Sequence, residues 1–174
     1  DLSKPEAREV AKRLISQADV LIENFLPGTM KRFGLDYEAM AALNPRLVYC
    51  SITGYGQTGP YANRPGFATI AESMSGLAAI SGEPGGQPLL PPIALTDEIT
   101  GLAAAFATMV ALRSGVGQVV DISLIESLFQ LMSPLVTLFG LTGEQQGRLG
   151  AGLPYTVPRG TYQCADGKWV GLSA

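Results

Sequence analysis

The run Asn44-Pro45-Arg46-Leu47-Val48-Tyr49-Cys50-Ser51-Ile52-Thr53-Gly54-Tyr55-Gly56-Gln57-Thr58-Gly59-Pro60 decides the fold class. Leu47 to Ile52 reads as a buried strand, short and rich in β-formers, and it runs into a glycine-rich loop. Just upstream, Asp36 can cap a helix through Leu43, which Asn44-Pro45 stops. Before that helix, Val20 to Ile22 forms another apolar strand ending at Glu23-Asn24-Phe25, after which Pro27-Gly28 turns the chain into Thr29 to Phe33. Earlier still, Ser3 and Glu6 make a capping box, Pro5 suits the first helical turn, and Val10, Leu14 and Ala18 repeat on one face up to about Ser16. Helix and strand alternate, as they do in a parallel α/β layer.

Working outward in the other direction, Phe67 to Ala79 is patterned as a helix and Gly82 to Pro92 is a turn-rich connection. Asp97 opens a further helix whose Gly101 to Leu112 portion is apolar on almost every face, with Gly115 and Gly117 ending it. Val119 to Ile122 is the next strand, and an apolar helix follows around Leu124 to Leu138. Both apolar helices are expected to be deeply buried or to sit between subunits, and neither stretch is read as long and uninterrupted enough to span a membrane. Past Gly140 the texture becomes polar and rich in Gly and Pro, a linker into another domain. There Tyr162 to Cys164, the Asp166-Gly167 turn and Trp169 to Leu172 resemble a hairpin. Asp1 has no initiator methionine and begins almost at a helix start, and Lys168 to Ala174 resembles a strand cut short. The chain therefore reads as an internal piece of a larger soluble enzyme.

Composition narrows the function classes. The 174 residues are 47% hydrophobic, which fits a globular protein with a real core. Fifteen acids against 12 bases, dispersed without a basic stripe, argue against nucleic acid as a partner. Cys50 and Cys164 have no second thiol nearby, so they form no redox pair or thiolate metal knuckle and are expected to be two buried thiols. A cytoplasmic location and no membrane association are expected.

Histidine is absent from the chain, which removes the usual general base, the usual zinc ligand and every Ser-His or Cys-His dyad. Neither a Walker A loop nor a GxGxxG fingerprint is read, the spacing of Gly54 to Gly59 being taken as wrong for both, so any nucleotide must be held differently. Carboxylates remain. Asp97 follows an apolar approach and begins an apolar helix whose amides stabilise an anion, a position equally suited to a plain helix cap. Asn24, Phe25, Lys31 and Arg32 lie just past a strand end, where open α/β sheets place ligands.

At these residues the sequence resembles the class III acyl-CoA transferases. The marks are Ala18-Asp19-Val20-Leu21-Ile22-Glu23-Asn24-Phe25-Leu26-Pro27-Gly28, Leu43-Asn44-Pro45-Arg46-Leu47-Val48-Tyr49, Gly54 to Tyr61, and Gly117-Gln118-Val119-Val120-Asp121-Ile122-Ser123-Leu124. The resemblance implies an open Rossmann-like parallel sheet in a large domain, here partial over residues 1–139, with residues 140–174 as linker and start of a smaller domain. It further implies an interlocked homodimer, with an acyl-CoA thioester and a carboxylic acid as substrates. No cofactor is permanently bound and no metal is used. By position in Leu95-Thr96-Asp97-Glu98, Asp97 is the implied nucleophile. Arg32 matches an arginine that contacts CoA, Asn24 and Phe25 match residues beside the adenine end, Thr29 and Phe33 match pocket positions, and Phe67 is a further CoA-binding candidate. Ser3 and Val116 stand where the family often has basic residues. Two alternatives accompany this reading. One is an α-methylacyl-CoA racemase, whose histidine would fall at Phe67, where a phenyl ring carries no proton. The other is an inactive or assembly homologue.

Overall fold

The computed structural model describes residues 1–174, apart from the side chain of Ser133. Helix α1 (Pro5–Ile15) leads into strand β1 (Val20–Glu23), then α2 (Thr29–Arg32), α3 (Tyr37–Leu43) and β2 (Val48–Thr53). α4 (Ala68–Met74), α5 (Leu77–Ile80) and the long α6 (Leu95–Ser114) follow, then β3 (Gln118–Ser123), α7 (Leu124–Leu131) and α8 (Ser133–Thr142). Strands β4 (Arg159–Gln163) and β5 (Trp169–Ser173) close the chain.

β1, β2 and β3 form a parallel sheet in that order, with Val20 opposite Val48 and Val48 opposite Gln118. Alternation along the central strand distributes it between two cores. Leu47 and Tyr49 pack with Ile15, Met30, Leu35 and Met40 under α1, α2 and α3, while Val48 and Cys50 pack with Ala104, Ala111 and Val120 under α6. Tyr49 donates its hydroxyl to the Leu35 carbonyl at 3.0 Å, and burial, with Glu23 as a second influence, pushes its pKa upward, so the ring stays a neutral donor. Asn44 donates to the carbonyls of Ile15 and Ala18, which ties the end of α1 to the turn before β2. β4 and β5 make a separate antiparallel hairpin, as the Asp166-Gly167 turn predicts.

Several expectations need correction. The N-cap of α1 is Lys4, without a side-chain cap, because the Ser3 amide is turned to the Asp1 carboxylate at 3.0 Å. Ala11 and Ile15 face the core of that helix, whereas Val10 and Leu14 face outward. The helix expected over Phe67 to Ala79 breaks between α4 and α5, where Gly76 takes φ 92°. The helix expected over Leu124 to Leu138 breaks at Met132, because Pro134 lacks an amide hydrogen and its ring crowds the preceding turn. Cys50 is buried, but Cys164 sits exposed at the hairpin turn.

α6 inverts the expected polarity. Thr96, Thr100, Ala104, Thr108 and Ala111 are its buried residues, small side chains that let the helix lie close against the sheet. Leu102 (71%) and Phe106 (74%) are exposed with Met109 and Val110, so the large apolar residues lie on the outer face rather than in the core. With 20 residues the helix is long and apolar enough to cross a bilayer, against the shorter reading from sequence. Its inner face nevertheless packs on β2 and β3, and acids occupy its first turn.

Candidate active site

The carboxyl ends of the three parallel strands converge on a cavity of about 530 Å³. Its wall is built from Asn24 to Pro27 after β1, Ile52 to Gly54 at the end of β2, Arg64 to Thr69 leading into α4, Asp97 in the first turn of α6, and Leu124 after β3. This is where ligands enter open α/β sheets, and the volume suits a small ligand.

Asp97 is the third residue of α6, a first-turn carboxylate rather than the residue that opens the helix; the cap position belongs to Ala94. The first regular helical bond runs from the Glu98 amide to the Ala94 carbonyl, so the amides of Thr96 and Asp97 precede it and favour negative charge there. Asp97 itself is exposed to the cavity, while its neighbour Thr96 is fully buried and donates its hydroxyl to Glu72 Oε1 at 3.0 Å. Glu72, on α4, is only 4% exposed, and that buried hydrogen bond fixes the turn that carries Asp97. Sequence reading missed Glu72, because a lone acid in a helical pattern looks like a solvated position.

The sequence-derived candidates divide into two groups. Asn24, Phe25 and Phe67 share the cavity wall with Asp97. The Phe25 amide donates to the buried carboxylate of Glu23 at 2.9 Å, which shapes the loop after β1. Thr29, Arg32 and Phe33 are not on that wall. Arg32 donates to Thr29 Oγ1 at 3.1 Å at the surface of α2, and Phe33 packs on the core under α1 with the Arg8 guanidinium 5.1 Å from its ring centre. A second hollow, of about 280 Å³, adjoins the first through Leu26 and Pro27, and it is Lys31 rather than Arg32 that lines it.

The glycine-rich loop has its own logic. Gly54, Gly56 and Gly59 do satisfy the spacing GxGxxG, so spacing cannot set the motif aside; the structure does. No helix follows the third glycine directly, since α4 begins only at Ala68. Two of its amides are already used: Gly56 donates to Thr53 Oγ1 at 2.8 Å and Gln57 to Asp121 Oδ2 at 3.0 Å. Gly54 instead serves close approach. A β-carbon there would lie 2.5 Å from the Gly66 Cα, so the two backbones touch and pin the far end of the loop to the sheet.

That contact brings in Arg64, which sequence reading also missed. It is the one cation among the described residues of the cavity wall, and it lies over the Tyr61 ring at 4.3 Å. Among the described residues no cluster of acids, cysteines or histidines suited to a metal ion occurs.

A family model described as CoA-transferase family III matches residues 1–174. The chain is 42% identical over 179 residues to the succinyl-CoA–L-malate CoA-transferase beta subunit of Chloroflexus aurantiacus, covering 99% of this chain and 44% of that protein. It is 41% identical over 171 residues to the succinate–glutarate CoA-transferase of Agrobacterium fabrum, covering 96% of this chain and 43% of that one. The crystal structure of a CAIB/BAIF family protein from Brucella suis superposes with a TM-score of 0.87 at 38% identity, over 97% of this chain and 46% of that one. The chain thus spans less than half the length of the relatives it matches.

Proposed function

The chain belongs to CoA-transferase family III, and on that premise we propose that the whole protein transfers CoA from an acyl-CoA thioester to a carboxylic acid, with Asp97 as nucleophile. The observation that carries this is the placement of Asp97 on the wall of the one cavity where all three parallel strands end. A carboxylate suffices for the chemistry. One Asp97 oxygen attacks the thioester carbonyl, and the C–S bond breaks to release CoA thiolate and leave a mixed anhydride. The thiolate attacks the aspartyl carbonyl, expelling the first carboxylic acid as its anion and leaving an aspartyl-CoA thioester. The acceptor carboxylate attacks that carbonyl in turn, and the released thiolate takes the new acyl group, regenerating Asp97. The acyl-CoA is substrate throughout, and no bound cofactor takes part.

Asn24, Phe25 and Phe67 are proposed to contact the CoA ester from the cavity wall, and Thr29, Arg32 and Phe33 from α2. The phenyl ring of Phe67 cannot exchange an α-proton, which favours transfer over racemisation at this site. The relatives' names pair succinyl or succinate with malate or glutarate, so succinyl-CoA with glutarate is the first pair to try. In the full-length protein, incubation with acyl-CoA and then hydroxylamine should leave a hydroxamate on the peptide holding Asp97. Trapping at a different carboxylate would overturn the assignment.

We further propose residues 1–139 as part of a large domain and 140–174 as the entry to a smaller one, in a cytoplasmic, interlocked homodimer. The motive is the outer face of α6, whose Leu102, Phe106, Met109 and Val110 need a cover. Light scattering on the full-length protein should give a dimer mass that persists at nanomolar dilution; a monomer would sink the proposal.

A further inference from the structure

We propose that Arg64 selects dicarboxylic substrates: its guanidinium receives the carboxylate at the far end of an acyl group or acceptor whose near end reacts at Asp97. The inference rests on the transfer reading above and adds to it the residue that would recognise the second carboxylate of such substrates.

The cavity wall carries one cation and one carboxylate, Arg64 and Asp97, among the described residues. They do not neutralise each other, since the ion pairs among the described residues are Lys12–Glu9 and Lys168–Asp166. Arg64 is an exposed residue of that wall and makes no side-chain hydrogen bond to the described residues, so its five donors are free for a ligand. The group is held in place all the same. Its amide donates to the Tyr61 carbonyl at 2.8 Å, its guanidinium carbon lies 4.3 Å from the Tyr61 ring centre, and Tyr61 meets Tyr55 edge-on at 5.5 Å. The Tyr55 hydroxyl donates to the sulfur of Met74 on α4 at 3.2 Å. Two residues beyond Arg64, Gly66 is pressed against Gly54 at the end of β2. A turn, a stacked ring and a backbone contact thus place the fork before any ligand arrives, which reduces the entropy lost on binding.

A planar fork matches a carboxylate through two parallel hydrogen bonds. With a reacting carboxylate elsewhere on the same wall, a cavity of about 530 Å³ fits a short molecule with a reactive carbonyl at one end and an anionic planar group at the other. A purely aliphatic acyl group offers the fork no acceptor, whereas a distal carboxylate gains a charge-assisted pair. The phosphates of CoA offer the same anionic oxygen chemistry, so the experiment must separate the two sources.

The test uses the full-length protein, Arg64→Gln and Arg64→Lys, with kcat/KM measured for succinyl-CoA plus glutarate and for butyryl-CoA plus pentanoate. The ratio of the dicarboxylic to the monocarboxylic value should fall about 100-fold in Arg64→Gln, in line with loss of a built polar contact, and recover partly in Arg64→Lys. Calorimetry should give the same affinity for free CoA in all three proteins. An equal loss for both substrate pairs, with weakened CoA binding, would assign Arg64 to the phosphates and overturn the proposal; an unchanged ratio would overturn it as well. Glutarate binding without CoA provides a readout that needs no turnover. Failure of the unaltered protein to transfer CoA would sink the transfer reading alone, whereas glutarate binding that survives Arg64→Gln would sink the role of Arg64.

Discussion

Asn24 to Phe33 is one short stretch, yet its two halves meet different surroundings. Asn24 and Phe25 open onto the cavity that Asp97 lines, whereas Arg32 lies along the surface of α2 clasping Thr29, and Phe33 is turned into the core. The first half shares its wall with Asp97, although the resemblance sets Asn24 and Phe25 beside the adenine end of CoA. The second half can touch only a ligand that extends past the cavity mouth, and an acyl-CoA is such a ligand, with a thioester at one end and a long nucleotide at the other. Substitutions on the wall should therefore fall on chemistry, and substitutions on α2 on binding.

The largest effect belongs to Asp97→Asn, which keeps the side chain's shape and removes the nucleophile. Turnover should fall by roughly 10⁴-fold or more, while calorimetry on free CoA changes by less than about twofold. A variant that retained about a tenth of its activity would break the division between the halves, because chemistry would then not originate on this wall.

Gly54→Val should come next. Its new β-carbon would collide with the Gly66 backbone, so the segment carrying Arg64 and Phe67 must move away from the sheet. Overpacking of this kind costs about 1–3 kcal/mol of stability. Displacing the wall by about an ångström should lower kcat/KM on the order of 100-fold, with CoA affinity much less affected because α2 does not rest on that contact. Thermal melting, steady-state kinetics and calorimetry on one preparation would read all three. A parallel collapse of CoA affinity would show that wall and α2 act as a single surface.

The sheet was legible because each strand is an apolar run with a helix stop or a turn beside it, and the bounds of β1, β2 and β3 differ from the expected Val20 to Ile22, Leu47 to Ile52 and Val119 to Ile122 by no more than one residue at either end. Asp97, Asn24, Phe25 and Phe67, which share one cavity wall, were singled out as candidates for a different reason, the resemblance of the motifs around them. Arg64 and Glu72 were hidden because their placement comes from tertiary contacts. Arg64 depends on Tyr61 beneath it and on Gly54 meeting Gly66, and Glu72 depends on Thr96 arriving from another helix. The inner face of α6 was hidden by its chemistry: burial through threonine and alanine leaves the larger residues outside, opposite to what apolar periodicity suggests. Cys164 was misjudged because its hairpin turn offers no core to enter.

The smallest effect is expected from Arg32→Ala, and it tests the other side of the comparison. Arg32 has one side-chain hydrogen bond, to Thr29 Oγ1, on the exposed side of a short helix, so its removal should leave the fold intact. If its guanidinium holds a phosphate or the nucleotide portion of CoA, the loss should appear as weaker binding, about tenfold for a contact worth about 1.4 kcal/mol. The signature is a raised KM for acyl-CoA and a raised Kd for free CoA, with kcat and the rate of Asp97 trapping at saturating substrate unchanged. Lys31, which faces the adjoining hollow, makes the control: Lys31→Ala should give a similar or smaller loss if the phosphate charge is shared between the two bases. Unaltered CoA affinity in Arg32→Ala would remove Arg32 from the binding surface and leave the adjoining hollow, with Lys31, as the remaining route for the nucleotide. A loss of kcat at saturating acyl-CoA would be the opposite failure, because it would require a side chain outside the cavity wall to act on the reacting atoms.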